Sequence, residues 1–554
     1  MTALRALAAL LFLNATLSFE NWWPTPGIKP DSRLAPEFVA LWVLLLLVVR
    51  ISGSVSRRAT ATLALAYLLL VIGRYVDVTA PALFGRPVNL YWDLGQVPRF
   101  LTVVSQHLEF WQLAAAVTIV ALALWMLFRL LRLAVGIAAR EAAPLALRSR
   151  MALGATAAAM ALAVANAAGV KATWPMVAKP VTPTYLRQAD LLYSALSSTR
   201  LAAALPPSPA FDSDLAALNG KDLKLVFVES YGATVFDNPE SRERLAASRE
   251  ALTQAIQSGG RQVVSAFVRS PTFGGASDMA HLGLLSGIDL SDPLRHDLLL
   301  TTRRPTLLSL FRERGYETFG FYPALSWDWP ERAFYGFDRF VDGPGLGYPG
   351  PHFGLWWIPD QYAIARFDEL HPITPDTPPR FLFFPTITSH IPFRPVPPYQ
   401  PDWARLLSAE PFDAPDVDRA LADEIDWTNL PPAYLRTIEY TYTWLAGYLR
   451  EPAPRDFVLV LIGDHQPAGS VTGPGAPWDV PVHVITRDAE LSKRFNALGF
   501  RPGLEPARPI LGGMHELTQR LLDAFDGRHP TTSFPPQDAR TADREPMGSS
   551  SPGS

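Results

Sequence analysis

The sequence predicts an N-terminal five-helix transmembrane region followed by an α/β domain with a mostly parallel central sheet. Three observations predict this. Long apolar stretches crowd the part of the 554-residue chain before about residue 172. Strand-like and helix-like runs alternate from about 219 to 528, and chemically capable polar residues end several of the apolar runs. A mean hydropathy of +0.11 with 49% hydrophobic residues is high for a soluble protein, and a chain of this length exceeds one core. The organisation read from these shifts is a membrane region over 1–171, a linker over 172–218, an extracytoplasmic α/β domain over 219–528 and a disordered polar tail over 529–554.

Five apolar stretches, at roughly 3–19, 37–54, 60–80, 109–135 and 151–170, are each near the ~20 residues that span a bilayer. The first lacks a clean small-residue cleavage site after Asn14 and Thr16 and is followed by four more spans, so it reads as a span rather than a signal peptide. Arg50, Arg57 and Arg58 lie at and beyond the end of the second stretch; Arg129, Arg132, Arg140, Arg148 and Arg150 lie at and beyond the end of the fourth. Basic residues stay inside, so the N-terminus is expected in the cytoplasm and everything after the fifth crossing outside. Trp22, Trp23, Tyr75, Tyr91 and Trp92 flank the spans on the outer side, as interfacial aromatics do. The outer-loop charges Arg74, Asp77, Arg86, Asp93, His107 and Glu109 read as solvated loop residues or as contacts to a lipid headgroup.

The linker carries proline clusters around one amphipathic helix. In the outer domain LKLVFVES, RQVVSAFV, YETFGFYP, RFLFFPTIT, DFVLVLIGD and VPVHVIT read as strands. SRERLAASREALTQAIQSG, PTLLSLFRERG, PAYLRTIEYTYTWLAGYLRE and ELTQRLLDAF read as helices between and after them. Continuous β-rich apolar runs are those of strands covered on both faces by helices. The tail HPTTSFPPQDARTADREPMGSSSPGS is too polar to build a core. A formal net charge of −3 gives no reason to expect a nucleic-acid partner, and zero cysteines leave oxygen and imidazole as the only metal ligands.

Carboxyl ends of parallel strands gather along one edge of a sheet, so residues far apart in sequence meet there. Asp464 and His465 follow a buried-strand pattern as Gly-Asp-His, a carboxylate and an imidazole suited to zinc or manganese, with magnesium a further option. Glu229 ends VFVES and is a metal ligand, a turn cap or a loop acid. Ser277 follows Gly-Gly-Ala and opens MAHLGLLSG; it is either a nucleophile at a helix start, where N–H groups favour an oxyanion, or an ordinary N-cap. His390 in SHIPF binds a substrate phosphate or protonates a leaving group, or else is a capping or core histidine. His281 lies one helical turn from Ser277; His483, flanked by valines, reads as a core residue, and His515 is weaker still.

VFVES, a helix-opening hydroxyl followed ten positions on by Gly287, SHIPF and GDH together resemble the alkaline phosphatase and sulfatase superfamily. Five spans before an outer domain, with Glu rather than paired Asp after the first strand, resemble its membrane-anchored branch of lipoteichoic acid synthases and phosphoethanolamine transferases. The resemblance implies that Glu229, Ser277, Asp464 and His465 bind one divalent ion, that Ser277 is also the nucleophile and that His390 meets the substrate phosphate. It implies headgroup contacts from Trp327 or Trp329 and Arg332 in SWDWPERAFYGFDRF, with His281 in reach of the same pocket.

Two departures bear on this. The transferase branch places Thr at the nucleophile where this chain has Ser, and both are alcohols. Aligning the Ser-Asp of GGASD with the synthases' Thr-Ser-Asp instead puts Ala276 at the nucleophile's place; the spacing to Gly287 favours Ser277. The formylglycine motif of sulfatases, Cys or Ser followed by x-Pro-x-Arg, is not met by Asp278-Met279-Ala280-His281. The expected function is metal-dependent transfer of phosphoglycerol or phosphoethanolamine from a membrane phospholipid to an envelope glycan, lipid or glycolipid acceptor through Ser277. The alternatives are a sulfatase-like hydrolase of phosphodiesters or sulfuric esters and a degenerate membrane interaction protein. Oligomeric state is not legible.

Overall fold

A computed structural model describes residues 2–22, 25–84, 87–91, 93–95, 97–98, 109–148, 177–196, 205–325, 329, 331–353 and 358–528. The chain divides into two compact units, Met1–Ser197 and Ser198–Ser554. In the first, α1 (Thr2–Ser18) leads into a short antiparallel pair, β1 (Glu20–Asn21) and β2 (Ile28–Lys29). Then come α2 (Pro36–Ser52), α3 (Arg57–Phe84), α4 (Phe110–Arg148) and α5 (Thr182–Leu196). Leu13, Leu45, Val49, Tyr67, Leu131 and Val135 form the core where α4 crosses the other helices. The Tyr67 hydroxyl donates to the Leu13 carbonyl at 2.7 Å.

The first four apolar stretches are thus helices, and the fifth, 151–170, lies outside the described residues. Two helical segments, Arg57–Leu83 and Phe110–Ala143, are long and apolar enough to cross a bilayer. None of the most apolar stretch of the second is buried in protein, unlike a core helix. The N-terminal helix is apolar but shorter. α5, expected in the linker, belongs to the first unit: Thr184 Oγ1 donates to Asp77 at 2.7 Å, and Glu37 accepts from the backbone N–H groups of Val181 and Thr182 at 2.6 and 2.9 Å. Arg74, expected as a solvated charge or a headgroup contact, is buried. Its guanidinium donates to the Phe19 and Lys179 carbonyls and to Glu20.

The second unit is an α/β domain. Its strands are β3 (Asp222–Val228), β4 (Gln262–Arg269), β5 (Glu317–Tyr322), β6 (Arg339–Asp342), β7 (Arg380–Pro385), β8 (Phe457–Gly463), β9 (Asp479–Thr486) and β10 (Arg501–Pro502), in the order β10-β4-β9-β8-β3-β7-β5-β6. Neighbours from β8 through β6 are parallel; β9 runs antiparallel to β8 and β4, and β10 to β4. The sheet is therefore mixed and mostly parallel. Helices α6 (Ala246–Ser258), α7 (Ser277–Ser286), α8 (Leu307–Glu313), α9 (Asp360–Leu370), α10 (Pro431–Arg450), α11 (Ala489–Ala497) and α12 (Met514–Phe525) accompany it. The helix expected over 241–259 is two, Pro239–Arg244 and α6, joined at Leu245. β3, β7, β8 and β9 are buried along their whole length, which is why they read as unbroken apolar runs.

Candidate active site

The central strands place the acids. β3 and β8 pair in parallel with Val228 opposite Gly463, so the next residues, Glu229 and Asp464, leave the sheet side by side. Space there depends on Gly463, where a Cβ would fall 1.8 Å from the Tyr231 carbonyl oxygen. The crossing is locked by hydrogen bonds: Asp464 Oδ1 accepts from the Ser230 and His465 N–H groups at 2.8 and 2.6 Å. Thr386 Oγ1 accepts from the Glu229 N–H, Ser389 Oγ donates to the Glu229 carbonyl, and Ser270 Oγ donates to the Asp464 carbonyl.

Ser277 arrives from the far side of β9. After β4 the chain passes through Gly274, Gly275 and Ala276 with φ of 63°, 136° and 62°, and α7 then begins at Ser277 itself. Ala276 occupies the N-cap position, and no side chain caps the helix. The Ser277 hydroxyl instead points at the acids: Oγ lies 3.4 Å from Glu229 Oε2 and 3.2 Å from His465 Nε2. Of the two sequence alternatives for this serine, the N-cap is not what the geometry has. The Gly274 N–H donates to the Gln466 carbonyl at 3.1 Å, tying the serine's turn to the segment that carries His465.

Glu229, Asp464 and His465 are buried and offer one donor atom each within 4.8 Å of one another. His465 Nδ1 lies 2.8 Å from the Gln466 carbonyl, which only accepts, so Nδ1 donates there and Nε2 faces Glu229 and Asp464, each 3.6 Å away. Burial, reinforced by the nearby Glu229 charge, pushes the Asp464 carboxyl up to about 6. Two carboxylates, an imidazole nitrogen and a hydroxyl converging where negative charge is this costly form a donor set that fits a zinc- or manganese-sized dication.

A cavity of about 120 Å³ opens beside this cluster, lined by Glu229, Ser277, Asp278, Tyr322, Ile387 and His390 among others. His390 follows β7. Its Nδ1 donates to the Ile391 carbonyl at 2.6 Å, and burial holds its pKa below the usual value, so the ring is neutral with its lone pair on Nε2. Asp360, at the start of α9, accepts from the Ile387 and Thr388 N–H groups at 2.9 and 3.0 Å and so pins the turn that presents His390.

The structure brings Glu229, Ser277, Asp464, His465 and His390 together and leaves His281, Trp329 and Arg332 outside the cavity lining. His281 is buried between Phe227 and Phe383, with ring centroids at 4.5 and 5.3 Å. Neither of its nitrogens has a hydrogen-bond partner, and burial lowers its pKa to about 4. It is a neutral core ring rather than a phosphate ligand. Trp329 packs on Tyr335 and Tyr322. Arg332 is exposed, with its guanidinium over Phe340, and neither residue lines the cavity. Trp327 lies outside the described residues. Asp278 and Tyr322 line the cavity without having been singled out; Tyr322 ends an apolar strand, the same signal that marked Glu229 and Asp464.

Residues 286–482, which include His390, Asp464 and His465, match the Sulfatase family model. No curated protein matches the sequence. Among solved structures, the lipoteichoic acid synthase LtaP from Listeria monocytogenes is similar at 14% identity over 52% of this chain and 71% of that one, with a TM-score of 0.32. The Streptococcus pyogenes phosphoglycerol transferase GacH in complex with sn-glycerol-1-phosphate is similar at 12% identity over 53% and 73%, with a TM-score of 0.31. The C-terminal periplasmic domain of EcEptC from Escherichia coli is similar at 15% identity over 51% and 76%, with a TM-score of 0.32.

Proposed function

We propose that this enzyme, which carries a Sulfatase-family domain over residues 286–482, transfers a phosphoglycerol or phosphoethanolamine headgroup from a membrane phospholipid to an extracytoplasmic acceptor through an ester on Ser277. The observation that carries the reading is the Ser277 hydroxyl, held at the start of α7 within 3.4 Å of Glu229 and 3.2 Å of His465. Glu229, Asp464, His465 and Ser277 would hold the divalent ion. Once bound, it would supply Lewis-acid charge that favours ionisation of the serine and offsets the negative phosphoryl oxygens.

In the first step Ser277 Oγ attacks phosphorus as the bond from phosphorus to the diacylglycerol oxygen breaks. His390, on the same cavity wall, takes the serine proton on Nε2 and delivers it to the leaving oxygen. In the second step the acceptor hydroxyl attacks the same phosphorus, the Oγ–P bond breaks, and the acceptor's proton returns to Ser277. N–H groups at the start of α7 face the phosphoryl oxygens. Such chemistry asks for positioning and charge neutralisation more than for covalent work.

Hydrolysis, with water as acceptor, is the second reading, favoured by the Sulfatase match itself. A formylglycine route lacks its motif after Ser277, so either outcome runs through ordinary serine chemistry. The test is diacylglycerol release from a fluorescent phospholipid by the full chain, with and without a chelator. Release that persists in Ser277→Ala sinks the scheme, and release that continues at full rate without any acceptor other than water assigns hydrolysis.

A further inference from the structure

The first unit contains a cavity of about 700 Å³ between the turn after α2 and the second half of α4. Four arginines line it, Arg57 at the start of α3 and Arg129, Arg132 and Arg140 on α4. With 3.6 residues per turn, positions 129, 132, 136 and 140 fall on one helix face. Gly136 lies at the centre of that face beside α3, where an added Cβ would make ordinary contact with the Thr60 methyl at 3.7 Å. Ser54 and Thr60 add hydroxyls, while Leu133 and Ala143 supply apolar wall. Among the described residues no carboxylate lines the cavity. Arg129 lies over the Trp125 ring, 5.5 Å from its centroid. Glu141 sits beside Arg140 in sequence but outside the lining.

Four exposed like charges, three from α4 and one from α3, make a positive field at the cleft that favours an anion there. Guanidinium groups hold phosphate oxygens through paired N–H donors, and they do so better than a single ammonium. The arginines sit on the two helical segments able to cross a bilayer, and basic pockets between such helices are suited to anionic headgroups. The orientation of the chain requires basic residues on one side, but it does not require them to converge on one cavity with hydroxyls and an apolar wall.

We propose that this cleft binds the phosphate of an anionic phospholipid headgroup, independently of the chemistry at Ser277. The test uses the full chain in nanodiscs containing phosphatidylglycerol and phosphatidylcholine, with retained lipid counted by native mass spectrometry. Preferential retention of phosphatidylglycerol is expected, weakening roughly fivefold for each arginine neutralised in Arg57→Gln, Arg132→Gln and Arg140→Gln, and weakening less in Arg132→Lys. Equal retention of both lipids by the parent protein overturns the proposal without relying on any variant. Full preference in the triple glutamine variant overturns the site. In a parallel arm, inorganic phosphate that stabilises the protein against heat as well as phosphatidylglycerol does would replace the lipid with a soluble anion and also overturn the proposal.

Discussion

Ser277 owes its position to the residue before it. Ala276 lies in the left-handed region at φ 62°, a conformation that costs a residue with a Cβ about 1 kcal/mol, and the turn it completes aims the next hydroxyl at Glu229 and His465. Two predictions separate the alignments open in the sequence. Ser277→Ala should lower headgroup release by roughly 10⁴-fold or more, as loss of a nucleophile does, with melting temperature nearly unchanged. Ala276→Thr, which installs a hydroxyl at the alternative position, should fail to restore activity to Ser277→Ala. It should also destabilise the chain by about 1–2 kcal/mol, because a β-branched residue resists positive φ; recovered turnover would show that position 276 is the nucleophile's place. Four of the clustered site residues were legible because each closes or follows an apolar run, and Ser277 because it opens one after a glycine turn. Arg332 and Trp329 were not, since their packing against Phe340, Tyr335 and Tyr322 depends on neighbours that no local pattern announces. His483 reads as a core residue and is one: it accepts from or donates to Tyr231 and Ser265 at 3.1 and 2.6 Å.

The site exists because neighbouring strands end together, so its weak points are where backbones cross. Gly463→Ala would drive a methyl into the Tyr231 carbonyl, and since backbone has little freedom to yield, a loss of about 3 kcal/mol or more is expected in urea unfolding. The turn after β7 depends in the same way on Asp360. Burial pushes its carboxyl from the ordinary 3.8 up to about 6, so the folded chain holds that proton more tightly than the unfolded chain does. Between those two values the folded state binds more protons. Asp360 therefore contributes a fall in stability as pH rises through that window and no slope above it. Asp360→Asn should remove this slope, cost about 1–3 kcal/mol by turning an amide donor toward a backbone N–H, and slow turnover by loosening His390. A slope unchanged in the variant would exclude Asp360 as its source. Long buried strands were legible from composition, but their direction was not: VPVHVIT reads the same either way, and only the pairing shows β9 antiparallel to β8. β6 and β10, with four and two residues, are too short to carry any period.

All four proposed metal donors belong to the unit that spans Ser198–Ser554, which has its own core around Phe384, Tyr434 and Trp444. The cleft lined by Arg57, Arg132 and Arg140 belongs to the other unit. Metal binding and lipid retention should accordingly separate when the chain is cut. Residues from 205 onward, expressed alone, should unfold in one cooperative transition and keep about one divalent ion per chain. A ligand that binds only the folded state at about 100 times its dissociation constant adds about 2.7 kcal/mol. For a domain of this size that corresponds to a rise in melting temperature of roughly 3–5 °C. Chelation should reverse the rise, and Glu229→Gln should abolish it because that carboxylate is one of the three buried candidate ligands. The same fragment should cleave a dispersed phospholipid but lose most of its activity on vesicles, where the helices of the first unit no longer hold it to the bilayer. If the fragment folds yet binds no ion while the full chain does, the ion is held outside the Glu229, Asp464 and His465 cluster, and the alkoxide scheme at Ser277 loses its basis.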